Sequence, residues 1–256
     1  TLLLCDGTYY VNLDLTASID LTSHAADQSA VVLDGEDGGA TVAVVGTDLD
    51  VKVSDVTLVD GWADAGSYVA GGGLACHGAG STLTASRIHV SGGYGQDGGG
   101  IGVVECELFL DDSVITDNAA NGGGGGVFVY DTHATLTDVE ISNNTSSWGG
   151  AVFMRSHTMT PTLDMLRVDL LDNTASGVAG ASLTAGAFYL NDGKLDLVHT
   201  LVDDNDATAK GGGLYLCRSH ATCTGAADVT EGFTLNDAVE EGGAVYIEDS
   251  TSTFTA

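Results

Sequence analysis

The chain has 256 residues, of which 36 are acidic and 7 are lysine or arginine, giving a formal net charge of −29. Such an excess of negative charge argues against nucleic acid or an anionic membrane surface as a partner, because either would be repelled on approach. Thirty-seven glycines and one proline suit stacked strands, where proline would delete ladder donors, and no apolar run is long enough to cross a bilayer.

The N-terminal stretch, residues 1–60, alternates apolar and polar residues without any glycine signature. Segments 10–15, 18–21, 31–33, 41–45 and 51–58 read as successive strands, with Asp34-Gly35-Glu36-Asp37-Gly38-Gly39 as a turn between two of them. Thr1-Leu2-Leu3-Leu4 lacks the basic start of a secretory leader. The expectation is a chain whose leader has been removed or a piece of a longer protein.

From residue 61 onward a motif recurs. Gly71-Gly72-Gly73-Leu74, Gly98-Gly99-Gly100-Ile101, Gly124-Gly125-Gly126-Val127, Gly149-Gly150-Ala151-Val152, Ala185-Gly186-Ala187-Phe188, Gly211-Gly212-Gly213-Leu214 and Gly242-Gly243-Ala244-Val245 are seven copies, spaced by 27, 26, 25, 36, 26 and 31 residues. A period with insertions is the mark of a solenoid whose turns tolerate loops at set corners. After the small residues, first and third positions are core-like: Val152 and Met154 flank Phe153, for example. The period is therefore two, and each copy opens a short strand whose middle residue points away from the core.

Five or six residues before most copies comes an apolar residue followed, three places on, by asparagine: Asn118, Asn144, Asn173, Asn205 and Asn236. Asparagine tolerates the left-handed backbone region and its amide can bond to an identical amide one turn away, so a stacked ladder at a tight corner is expected. Asp60-Gly61 and Gly92-Gly93 stand at the equivalent corners upstream. Two strands per repeat, with a weaker third at 135–137 and 194–197, predict an all-β chain: a single-stranded right-handed parallel β-helix of about nine rungs, forming one domain over 1–256. At about 4.8 Å per rung the solenoid is on the order of 40 Å long.

The pairing of Gly-Gly-Ala-Val at 149–152 and 242–245 with Phe233-Thr234-Leu235-Asn236 resembles the repeats of the chlamydial polymorphic outer-membrane-protein family and of bacterial β-helix surface proteins more broadly. Only the last repeat carries both halves in strict form; elsewhere Ile, Leu or Val replaces Phe and Gly replaces Ala. The likeness covers residues 60–250. It implies the β-helix fold and a surface location, on a fold that carries enzymes, adhesins and structural passengers alike.

Four constellations bear on chemistry. The middle-position aromatics Phe128, Phe153, Tyr189, Tyr215 and Tyr246 predict an outward band, open to three roles: a self-stacked ladder, a protein contact or a glycan platform. Asp172, Asp203, Asp204 and Asp206 are the candidate ligands for calcium, the one cofactor considered, weighed against plain solvated carboxylates. Of five cysteines, Cys217 and Cys223 are the first disulfide candidate, Cys76 and Cys106 a second, and Cys5 the thiol left over. The histidines lack zinc spacing, and Asn143 and Asn144 head sequons that matter only where N-glycosylation operates.

No catalytic residues are assigned. The bases Lys52, Arg87, Arg155, Arg167, Lys194, Lys210 and Arg218 are scattered in sequence, and neither a lyase motif nor the paired carboxylates of a hydrolase is evident. The expected role is an extracellular or cell-surface structural or adhesive element. Its partners would be further copies stacked head to tail into a filament, other surface proteins, or glycans. The competing readings are a polysaccharide-binding or polysaccharide-degrading β-helix, or a fragment of a larger autotransporter-like adhesin.

Overall fold

A computed structural model describes residues 1–63, 70–177, 184–224 and 232–255. Every regular element in it is a strand, and every strand pairing is parallel. The chain winds as a parallel β-helix in which each turn visits four stacks, called here A to D. Stack A holds residues 13–15, 42–45, 74–77, 101–104, 127–130, 152–155, 188–191, 214–217 and 245–248. Those nine levels enclose about eight turns. Stack B follows A in each turn, as at 134–137, and stack C follows B, as at 139–142. Stack D is a two-residue strand running from Trp62–Ala63 to Asp237–Ala238.

The stretch expected to be the weaker third strand is stack B, and it is as continuous as the others. Leu74–Ser91 runs through A, B and C as one strand whose pairing is interrupted only at the corners. Inward side chains alternate along each stack, and Leu74, Leu83, Ile88, Ile101, Leu108, Ile115, Leu136 and Ile141 are completely buried in one core. Removing each such side chain from water contributes roughly 1.5–3 kcal/mol, which makes the axial core the main favourable term.

Most corners obey one rule, from which the loop 156–161 and the turn at Glu36 and Asp37 depart. Between stacks, a single residue adopts the left-handed conformation: Glu105, Asp131, Asp192, Arg218 and Asp249 between A and B; Asp55, Arg87, Asp112, Asp138, Arg167 and His199 between B and C; Asp60, Gly92, Asp117, Asn143, Asp172, Asp204 and Leu235 between C and D. Aspartate and asparagine tolerate this region better than other side chains. Much of the acidity therefore serves backbone geometry as well as solvation. The expectation that the ladder asparagines themselves occupy the left-handed region is corrected: the residue before each one does, which leaves the asparagine free to turn inward.

The signature glycines are required where the chain passes from D into the next A strand. Gly124 has φ of +67°, and a Cβ on Gly125 would lie 2.5 Å from the carbonyl oxygens of both Thr145 and Gly150. Neighbouring turns touch backbone to backbone there, so no side chain fits.

Candidate functional site

The asparagine ladder forms as expected. Nδ2 of Asn118, Asn144, Asn173 and Asn205 donates to Oδ1 of the next asparagine at 3.0, 3.1, 3.0 and 2.9 Å. The same oxygens accept the backbone N–H of the preceding asparagine, and each of these amides also reaches a carbonyl two residues back, as Asn144 does to Ser142. Asn144, Asn173 and Asn205 are completely buried. Burial with every polar atom satisfied makes the ladder a structural device with no atom left for a ligand.

The aromatic band is outward from the axial core and yet is not exposed, which corrects that expectation. Phe128, Phe153, Tyr189 and Tyr215 are 8%, 7%, 5% and 0% accessible, and Tyr246 is half-buried. Their rings stack turn on turn, with centroids 5.6, 5.1, 4.9 and 5.1 Å apart. The band is covered because the chain between stacks D and A folds back over it. Trp148 packs on Phe153, Ala185 joins the cluster, and Gly123 lies so close that a Cβ there would be 2.5 Å from the Phe153 ring. Tyr215 donates to the Glu248 carboxylate, and the Lys210 ammonium bonds the Tyr246 hydroxyl at 3.0 Å and Glu241 at 3.2 Å. Burial pushes the Tyr189 phenol up to about 12, and burial together with the Glu248 carboxylate raises Tyr215 further.

The arginines scattered in sequence are ordered in space, since three sit at corners above an aspartate of the preceding turn. Arg87 grips Asp55 with Nε–Oδ1 at 2.6 Å and a second bond at 2.9 Å; Arg167 holds Asp138 in the same two-pronged way. Arg218 reaches Asp192 and also the Asn191 side chain. Each arginine holds its aspartate below the usual carboxylate range.

The calcium expectation is not supported. Asp172 and Asp204 do stack at the C–D corner, where burial and then the Asp204 carboxylate raise the Asp172 carboxyl. Asp203 lies on the outward side of stack C, and Asp206 lies in stack D beside Asp237. Among the described residues no three acidic, histidine or cysteine side chains converge on a point where a metal ion could sit.

The Cys217–Cys223 disulfide is also corrected. Cys217 ends an A strand among the outer aromatics, whereas Cys223 sits in stack B against the axial core, so the wall of the solenoid separates them. Cys76 and Cys106 form the disulfide instead, with Cα atoms 5.9 Å apart. Cys76 points inward from stack A, and Cys106 points inward one turn later at the start of stack B.

Two grooves mark the surface. One, of about 990 Å³, follows the A–B corner over the later turns and takes in His157, Met159, Lys194, Arg218, His220 and Asp249. Its wall is the loop 156–161, the corner that interrupts an otherwise tight series. The Asp131 carboxylate pins that loop by accepting from Ser156 Oγ at 2.6 Å and from the His157 and Thr158 amides. The other groove, of about 590 Å³, follows the B–C corner. There Glu140 and Asp169 are register partners, and burial followed by the Glu140 charge raises the Asp169 carboxyl. No signal in the sequence marked either groove: the first is walled by an A–B corner longer than its neighbours, and the second is lined by side chains of B–C corners that keep register from turn to turn.

No family model matches the chain, and neither the curated proteins nor the solved structures yield a match.

Proposed function

We propose that the chain is a structural or adhesive element of an extracellular surface and that it is not a catalyst. The observation that carries this reading is where the repeated side chains are spent. The asparagine amides bond to one another, the aromatic rings stack under cover, and three of the arginines clamp aspartates of the preceding turn. Residues repeated for catalysis would converge on one point, whereas these are distributed along the axis and consumed by their neighbours. The Cys76–Cys106 bridge suits an oxidising compartment, the charge of −29 suits a solvated surface, and the likeness to polymorphic outer-membrane-protein repeats points the same way.

Antibody labelling of intact cells that make the protein is expected to be positive and to be erased by proteinase K shaving; signal only after lysis would refute the location. The rival reading, polysaccharide breakdown, draws on the Glu140–Asp169 pair, in which one carboxyl is raised beside another. New reducing ends released from polysaccharides by the purified chain, and lost on Asp169→Asn, would establish that rival.

A further inference from the structure

We propose that the groove along the A–B corner binds an uncharged oligosaccharide laid along the solenoid axis. This rests on the adhesive reading above and names the ligand class for it.

The groove is built before any ligand arrives. Its wall is held by the four-way Asp131–Ser156 junction, in which Ser156 Oγ also bonds the Met159 carbonyl at 2.8 Å and accepts the Met159 amide at 3.2 Å. Its floor is a run of tight corners on three successive turns, fixed by serine hydroxyls: the Gly193 amide donates to Ser219 Oγ and the Ser219 amide to Ser250 Oγ. Backbone pinned in this way loses little freedom on binding, which favours affinity.

The groups left over define the chemistry. Met159, half-buried in the loop that walls the groove, offers an apolar patch. Around it stand the exposed Lys194 ammonium, which takes no part in the ion pairs described above, and the exposed Asp249 carboxylate. His220 engages Thr251 through Nδ1 at 2.7 Å, so its Nε2 is the nitrogen available to a ligand. A small apolar surface ringed by one strong donor, one strong acceptor and an imidazole matches a sugar ring, whose C–H face is apolar and whose hydroxyls both donate and accept.

Charge excludes the acidic polysaccharides. Within the groove Asp192 and Asp249 balance Arg218 and Lys194, so no surplus cation remains to hold an anion, and the whole chain carries −29. A uronate or sulfated chain would meet this field along its full length.

The test is an array of uncharged gluco-, manno-, galacto-, xylo- and N-acetylglucosamine oligosaccharides probed with the purified chain, with tetragalacturonate as the charged comparator. Hits are then titrated calorimetrically. Binding to at least one uncharged glycan is expected, weakened about tenfold or more in Lys194→Ala and in Asp249→Ala, as the loss of a charge-assisted hydrogen bond requires. Phe109→Ser, on the exposed face of stack B away from the groove, is expected to bind like the parent. Circular dichroism melting confirms that each variant folds. A blank array, preference for tetragalacturonate, or binding indifferent to both groove substitutions overturns the proposal. Cell attachment that persists with a blank array leaves the adhesive reading standing and removes only this site, whereas cleavage of a bound glycan removes the non-catalytic reading.

Discussion

The early turns and the later turns share one backbone and hold their neighbours by different means. At the middle position of stack A the early turns carry Ala43, Ala75 and Gly102, and the later ones carry the ring stack from Phe128 to Tyr246. At the C–D corner the early turns have Gly61 and Gly93, and the later ones the asparagine ladder, whose first oxygen accepts from the Gly93 amide at 2.9 Å. A Cβ on Gly61 would lie 1.9 Å from the Gly72 carbonyl oxygen, so the early corner is too tight for asparagine. The early turns have the Cys76–Cys106 bridge instead. One coil geometry can thus be secured by close backbone contact and a covalent tie, or by amide and ring ladders.

The hardest test of that contrast is Asn173→Ala. It strands the Asn144 backbone N–H, takes one of three acceptors from the Asn144 side-chain amide and leaves the Ile141 and Leu171 carbonyls without their buried donor. A loss of about 3–5 kcal/mol is expected in urea unfolding, with hydrogen exchange accelerated in the later turns first. Tyr215→Ala removes a fully buried ring from the middle of the stack and should cost about 3–5 kcal/mol. Tyr215→Phe keeps the stack and loses only the bond to Glu248, so about 1–2 kcal/mol is expected. Equal losses for the two variants would show that the ring stack contributes little.

Reducing Cys76–Cys106, whose partners are 30 residues apart, should lower stability by about 2–4 kcal/mol. Its mark in hydrogen exchange should lie in the early turns, and an effect spread evenly over the chain would contradict the division drawn above.

The smallest effects concern pH, where a clamped aspartate and an unclamped one should move in opposite directions. Asp55, clamped by Arg87, has its carboxyl held below the ordinary value. Its contribution is present above the ordinary carboxylate pKa and fades as pH falls through the lowered one. Asp172 is raised, first by burial and then by Asp204, so its ionisation opposes folding and the penalty appears as pH rises through the carboxylate range. Asp172→Asn is therefore expected to raise the melting temperature slightly at neutral pH and to leave it unchanged in acid. Arg87→Ala should lower it at neutral pH and matter least in acid.

Most of the architecture was legible in the residues themselves. Alternation at 152–154 and its copies identified the strands, and the spacing of Asn118, Asn144, Asn173, Asn205 and Asn236 placed the corner and its ladder, because both signals depend on a few consecutive residues. The ring stack was half legible. Its outward direction follows from the period of two, but its cover depends on Trp148 and Gly123 folding back from another corner. The cysteine pairing was misjudged because nearness in sequence suggested Cys217 with Cys223, while a strand carried them to opposite sides of the wall. The arginine clamps and the groove left no local signature, since each is a relation between corners a full turn apart.

By itself the chain of residues determined the coil: where strands run, where they bend, and which side chains face the axis. These are local consequences of side-chain alternation and of which residues accept a left-handed backbone. Only the tertiary structure decided which outward side chains meet solvent, which cysteines meet each other and where the surface is hollow, because those depend on how corners of unequal length pack against the turns above and below them.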